Sequence, residues 1–93
     1  MTITEFLEAR IAEDATEAVE RGQMEHFDGG WSDEHEARVL AECAAKRALI
    51  KHAQHLTEDK DAYWAYREYA ERNLLFLAAV YADHSDYQRE WTP

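Results

Sequence analysis

The sequence predicts an all-α fold: a three-helix bundle with a short C-terminal helical segment folded back onto it. Three observations carry this. The 93 residues include one Pro and three Gly, too few turn formers for a sandwich or barrel. Apolar residues recur at three- and four-residue spacing in three long stretches, the period of a helix with one buried face. Helix-capping signals stand where the stretches begin. The length suits one domain, 1–93, and three Trp, five Tyr and three Phe supply the large apolar area a chain this short needs.

The first helix is expected over about 4–21. Thr2 and Glu5 have capping-box spacing, in which each side chain satisfies the other residue's backbone N–H. Ile3, Leu7, Ile11, Ala15, Ala18 and Val19, with Phe6, form its apolar stripe, and Gly22 marks a C-terminal stop. Residues 23–32 read as a loop around Gly29-Gly30, with Phe27 and Trp31 tucked into the bundle at its ends. The second helix is expected over about 33–55. Asp33 and Glu36 repeat the cap spacing, and Val39, Leu40, Cys43, Ala44, Ile50 and Ala53 face inward. Glu42 and Lys46 stand four apart in the favourable order. Thr57 then reads as the cap of a third helix over about 58–82, with Glu58 and Asp59 in a first turn whose dipole favours acids. Tyr63, Tyr66, Ala70, Leu74, Leu77, Ala78 and Tyr81 point inward on this reading. Trp64, Tyr69, Phe76 and Val80 lie on neighbouring faces. That is more apolar circumference than two neighbours cover, and it implies a central position or a further partner. Ser85 caps a final turn or short helix over 86–91, whose Tyr87 and Trp91 fold back.

Composition narrows the function. The formal charge is −10, with ten bases against twenty acids. Phosphate backbones repel such a surface, which argues against direct nucleic-acid binding. The charge is uneven: residues 1–36 carry −9, 37–56 carry +3 and 57–93 carry −4, so an acidic first helix can attract a basic second one. The densest apolar run, Leu74 to Ala82, is about half of a membrane span. A lone Cys43 excludes an internal disulfide, and no basic or apolar leader opens the chain. Both point to a cytoplasmic protein away from membranes.

Three blocks, Thr2 to Asp14, Ala37 to Ile50 and Leu77 to Pro93, together resemble an uncharacterised family of small proteins from actinobacteria and their phages, a domain of unknown function. The last block is the most specific, with Tyr-Ala-Asp-His-x-Asp-Tyr followed by Trp. The resemblance covers about half the chain. It implies a compact intracellular helical protein and no assigned activity. Many relatives carry a cysteine-bearing insert between the second and third blocks; here Lys51 to Asn73 holds no Cys. Ser85 stands where the family's last motif has Pro. A metal or redox role is therefore not carried over.

Chemistry-bearing groups are sparse. His52 and His55, three apart on a helix, can face one metal ion, with Asp83 or His84 as a further ligand; solvated histidines near a helix C-terminus are the simpler account. Asp83, His84 and Asp86 form the one local acid–base cluster, but no Ser or Cys nucleophile stands in a recognisable elbow. Cys43 sits in an apolar stripe and reads as a buried thiol. Gly29-Gly30 lacks the Lys and Ser or Thr of a phosphate loop. The sequence thus predicts a non-enzymatic protein without catalytic residues or cofactor. Its preferred role is contact with a protein partner, a second copy of the chain included, through Tyr63, Trp64, Tyr69 and Phe76 as aromatic anchors. Two alternatives stand beside it. One is an acidic decoy, in which first-helix carboxylates imitate a phosphate row and occupy a nucleic-acid-binding protein. The other is a small metal-binding protein using His52 and His55.

Overall fold

The computed structural model describes residues 1–23 and 33–93. It is an all-α bundle of three helices, α1 (Ile3–Gln23), α2 (Asp33–Glu58) and α3 (Trp64–Ala79), closed by a 3-10 turn at Arg89–Trp91. Phe27, Trp31 and Gly29-Gly30 lie outside the described residues. Helix α2, about 39 Å long at the usual rise, packs along both α1 and α3, which touch each other over a shorter stretch. The principal extents are 53 × 25 × 18 Å.

The start of α1 follows its capping signal. The Glu5 backbone N–H donates to Thr2 Oγ1 at 3.1 Å and the Thr2 N–H donates to Glu5 Oε1 at 2.8 Å. These bonds, the backbone donor first, hold the exposed Glu5 carboxyl below the usual carboxylate range. Gly22 does not stop the helix. It lies within α1, and the Glu36 carboxylate of α2 occupies the space that a Cβ there would need.

The connection between α2 and α3 departs from the sequence reading. Thr57 is not a cap: it continues α2, and its hydroxyl donates to the Gln54 carbonyl at 3.0 Å. The chain breaks at Asp59, whose Oδ1 accepts the Asp61 N–H at 2.9 Å while its carbonyl accepts the Ala62 N–H at 3.2 Å. An Asp side chain that bonds two residues ahead competes with the helix ladder. Helix α3 therefore begins at Trp64, six residues later than expected, and no side chain caps it. At its other end the helix tightens instead of running to Ala82. Val80, Tyr81 and Ala82 each donate to the residue three before, and His84 to Tyr81 and Tyr87 to His84 continue the series. Gln88, not Ser85, precedes the final 3-10 turn.

The core draws on every element. Phe6, Leu7 and Ile11 of α1, Cys43, Ile50 and Ala53 of α2, Ala70, Leu74 and Ala78 of α3, and Trp91 of the C-terminal turn form one buried cluster. The Cys43 thiol is buried and points at the Ile11 carbonyl, 3.8 Å away. Phe6 is the hub of the end that the C-terminal segment closes. Its ring lies edge-on to Tyr81, His84 and Tyr87 and tilted against Trp91 at 5.0 Å.

Candidate functional site

Two places gather chemistry-bearing side chains. The first is the seam where the C-terminal segment meets α1. Arg10, 7% exposed, reaches Glu13 at 2.9 Å and Asp86 at 3.6 Å. Its Nη1 lies 2.8 and 2.6 Å from the two ring nitrogens of His84, and its guanidinium lies 5.2 Å from the Phe6 ring centroid. A guanidinium only donates, and the Asp86 N–H also donates to His84 Nδ1 at 3.0 Å, so Nδ1 is an acceptor here. Beside it, the Tyr81 hydroxyl donates to Asp14 at 2.8 Å and accepts from Lys46 at 3.2 Å, tying three elements together. Burial first, and then the Asp14 carboxylate, push the Tyr81 phenol well above its ordinary range. The Arg10 Nη atoms, Asp14, Lys46 and Tyr81 all face a partner in this seam, whereas Arg10 Nε is buried without one. The arrangement ties the C-terminal segment to α1 and α2.

This seam also accounts for two local expectations. Lys46 turns inward to Tyr81 instead of pairing with Glu42, whose carboxylate accepts from Arg38 at 3.3 Å. His84 is spent on Arg10 and the Asp86 amide, far in role from a metal ligand. His52 and His55 are exposed on α2. Among the described residues no three His, Cys, Asp or Glu side chains gather as a metal ion would require. Along α1 the exposed carboxylates of Glu13 and Glu17 pair with Arg10 at 2.9 Å and Arg21 at 2.8 Å.

The second place is an apolar groove of about 620 Å³ between α2 and α3. Leu49, His52, Ala53 and Leu56 form one wall; Tyr66, Tyr69, Ala70, Asn73, Leu74, Phe76 and Leu77 form the other. Not one lining residue is Asp, Glu, Lys or Arg, in a chain that is 32% charged. The large side chains on its rim stand in solvent: Tyr66 is 59% exposed, Tyr69 62%, Phe76 56% and Leu49 53%. No residue of α1 lines the groove, so α1 covers another side of the α2–α3 pair and leaves this one open. An exposed apolar face of this extent marks a contact site far more often than isolated surface apolar residues do.

Of the four anchors that the sequence proposes, Tyr69 and Phe76 line this groove. Tyr63 and Trp64 are also exposed, at 58% and 61%, but their rings lie tilted against one another at 5.6 Å at the start of α3 and are not part of the lining. Tyr63 reaches the groove only through Tyr66, its edge-on neighbour at 5.7 Å. Sequence reasoning turned Tyr63 and Tyr66 inward and overlooked Leu49 and Asn73. A signal for Tyr66 and Asn73 exists. Tyr66, Tyr69, Asn73, Phe76 and Val80 follow the 3-4-3-4 spacing of a second helix stripe, beside the buried one through Ala70, Leu74 and Ala78.

A family model matches residues 1–93 over their whole length. The chain belongs to DUF6221, a family of unknown function. Comparison with the curated proteins and with the solved structures returns no match. Within this DUF6221 chain, the three blocks that carry the resemblance meet in space. Phe6, Arg10 and Asp14 come from the first, Cys43 and Lys46 from the second, and Tyr81, His84, Tyr87 and Trp91 from the third. The motif residues that stand out in the sequence thus build the closed end of the bundle, whereas the open groove is lined mainly by residues between the blocks. Among the described residues no helix is long and apolar enough to cross a membrane.

Proposed function

We propose that this DUF6221 chain is a non-enzymatic helical interaction module that holds a protein partner on the α2–α3 groove. One observation carries the reading: a continuous, uncharged, solvent-exposed apolar face on a strongly acidic chain. Leaving three aromatic rings more than half exposed costs hydrophobic stabilisation of about 25 cal/mol per Å² that a partner would supply. Tyr and Phe on a rigid helix bring large contact area with few rotatable bonds, the profile of interface anchors. The polar groups of the groove, His52, Asn73 and the two Tyr hydroxyls, suit orientation of a partner and not chemistry on a substrate. An intracellular setting fits the single free thiol.

Site-specific photo-crosslinking tests this reading in living cells. A photoreactive phenylalanine placed at Tyr69 or at Phe76 should give discrete protein adducts, and the same group at the α1 residue Glu8 should give none. Absence of adducts from both groove positions would refute the proposal.

A further inference from the structure

We infer that the occupant of the groove is a second copy of this chain, stacked face to face so that Asn73 and His52 form the polar middle layer of a two-fold dimer. This rests on the reading of the α2–α3 face as a contact surface and names what covers it.

The face has the form of two parallel ridges. Along α3 the ridge is Tyr66, Tyr69, Asn73 and Phe76, continued by Val80 just past the helix end; on α2 it is Leu49, His52 and Leu56, continued by Ala45 beyond the lining, spaced 4-3-4. These are the spacings with which helices interlock side by side. Each ridge carries one polar residue in its interior, with apolar side chains on both sides of it. A lone partner helix would fill the trough and leave the outer flanks of Tyr69, Phe76 and Val80 wet. A second two-helix face meets both ridges at once. Helices α2 and α3 are joined by a short turn and run in opposite directions. A two-fold axis lying in the face, whether along or across the helices, therefore sets each helix against an antiparallel neighbour. It also brings the Asn73 amide and the His52 ring to the centre, where they can pair with one another or with their own copies. A polar residue at one such position fixes register at some cost in stability.

Charge points the same way. Self-association of a chain with formal charge −10 is opposed wherever carboxylates meet, and this face has none. A partner selected by charge would need complementary charges within the contact, and the groove lining offers none. Homodimer interfaces are the more apolar class. Leu49, Tyr66, Tyr69, Phe76 and Val80, 53–67% exposed, present on the order of 500 Å² between them if each aromatic ring residue offers ~200 Å² in full. These five side chains thus supply more than half of the ~800 Å² per partner of a standard interface.

Sedimentation velocity on the purified full chain reads this directly. The expected species at micromolar concentration has twice the 10.9 kDa mass of the chain. Tyr69→Glu and Phe76→Glu should each weaken association by about 100-fold or more, because a carboxylate is then buried without a partner. Trp64→Glu, equally exposed but off the groove, should leave the dimer intact. If a Glu variant loses helical circular dichroism, Phe76→Ser replaces it and should still weaken the dimer at least about tenfold. A monomer at millimolar concentration overturns the inference, as does a dimer indifferent to the Tyr69 and Phe76 substitutions. A monomeric protein whose crosslinks from positions 69 and 76 run to a different protein would overturn the dimer and leave the interaction module standing; no crosslinks at all would remove both.

Discussion

Phe6→Ala should destabilise the chain by about 3–5 kcal/mol, the range for truncating a fully buried Phe. The ring is 0% exposed and is the common neighbour of Tyr81, His84, Tyr87 and Trp91, with the Arg10 guanidinium over its face. Removing it opens a cavity that four aromatic groups border, none of which can move in without abandoning its own contacts. The loss is large against the total, since folded domains hold only about 5–15 kcal/mol and short chains sit low in that range. In urea titrations followed by far-ultraviolet circular dichroism the midpoint should fall steeply while the slope stays constant. Phe6→Leu, which keeps most of the volume, should lose no more than about 1.5 kcal/mol. A loss under about 1 kcal/mol for the Ala variant would mean that the C-terminal segment does not pack on α1.

Trp91→Ala is the companion result, also expected at about 3–5 kcal/mol. Trp91 lies on a three-residue 3-10 turn at the end of the chain, a place where side chains are ordinarily solvated. Here it is 8% exposed, set against Phe6 at 5.0 Å and edge-on to Tyr87 at 5.7 Å. Gln88 ties the same segment to the other end of the chain by donating to the Met1 carbonyl at 3.2 Å. Trp64→Ala is the internal control: 61% exposed, it should change stability by no more than about 0.5 kcal/mol. Equal losses for the two Trp variants would contradict the placement of Trp91 in the core.

How far these residues could be read without coordinates depends on the range of the forces involved. The Thr2–Glu5 cap, the α1 stripe from Ile3 to Ala18 and the pairing of Tyr87 with Trp91 are local, three- or four-residue relations and are legible; Val19, expected on the stripe, is 39% exposed. The end of α2 is not legible because Thr57 and Asp59 are both capping residues, and propensity does not say which will break the helix; the Asx turn at Asp59 decides it. Helix α3 carries two apolar stripes. One helix's period shows both, but which one faces α2 is a property of the neighbour. Spacing alone therefore leaves Tyr63 and Tyr66 facing inward and does not reveal the seam, although it singles out Tyr69 and Phe76. The Arg10–His84 and Asp14–Tyr81–Lys46 contacts join residues up to 74 positions apart, beyond anything spacing alone reveals.

The central claim is that the α2–α3 face is covered when the protein is at work. Hydroxyl-radical footprinting inside cells tests it with two residues of one type. Tyr63 and Tyr69 are 58% and 62% exposed in the single chain, yet only Tyr69 lines the groove. A covered groove predicts that Tyr69 is oxidised several-fold more slowly than Tyr63; equal rates at the two rings would contradict the account.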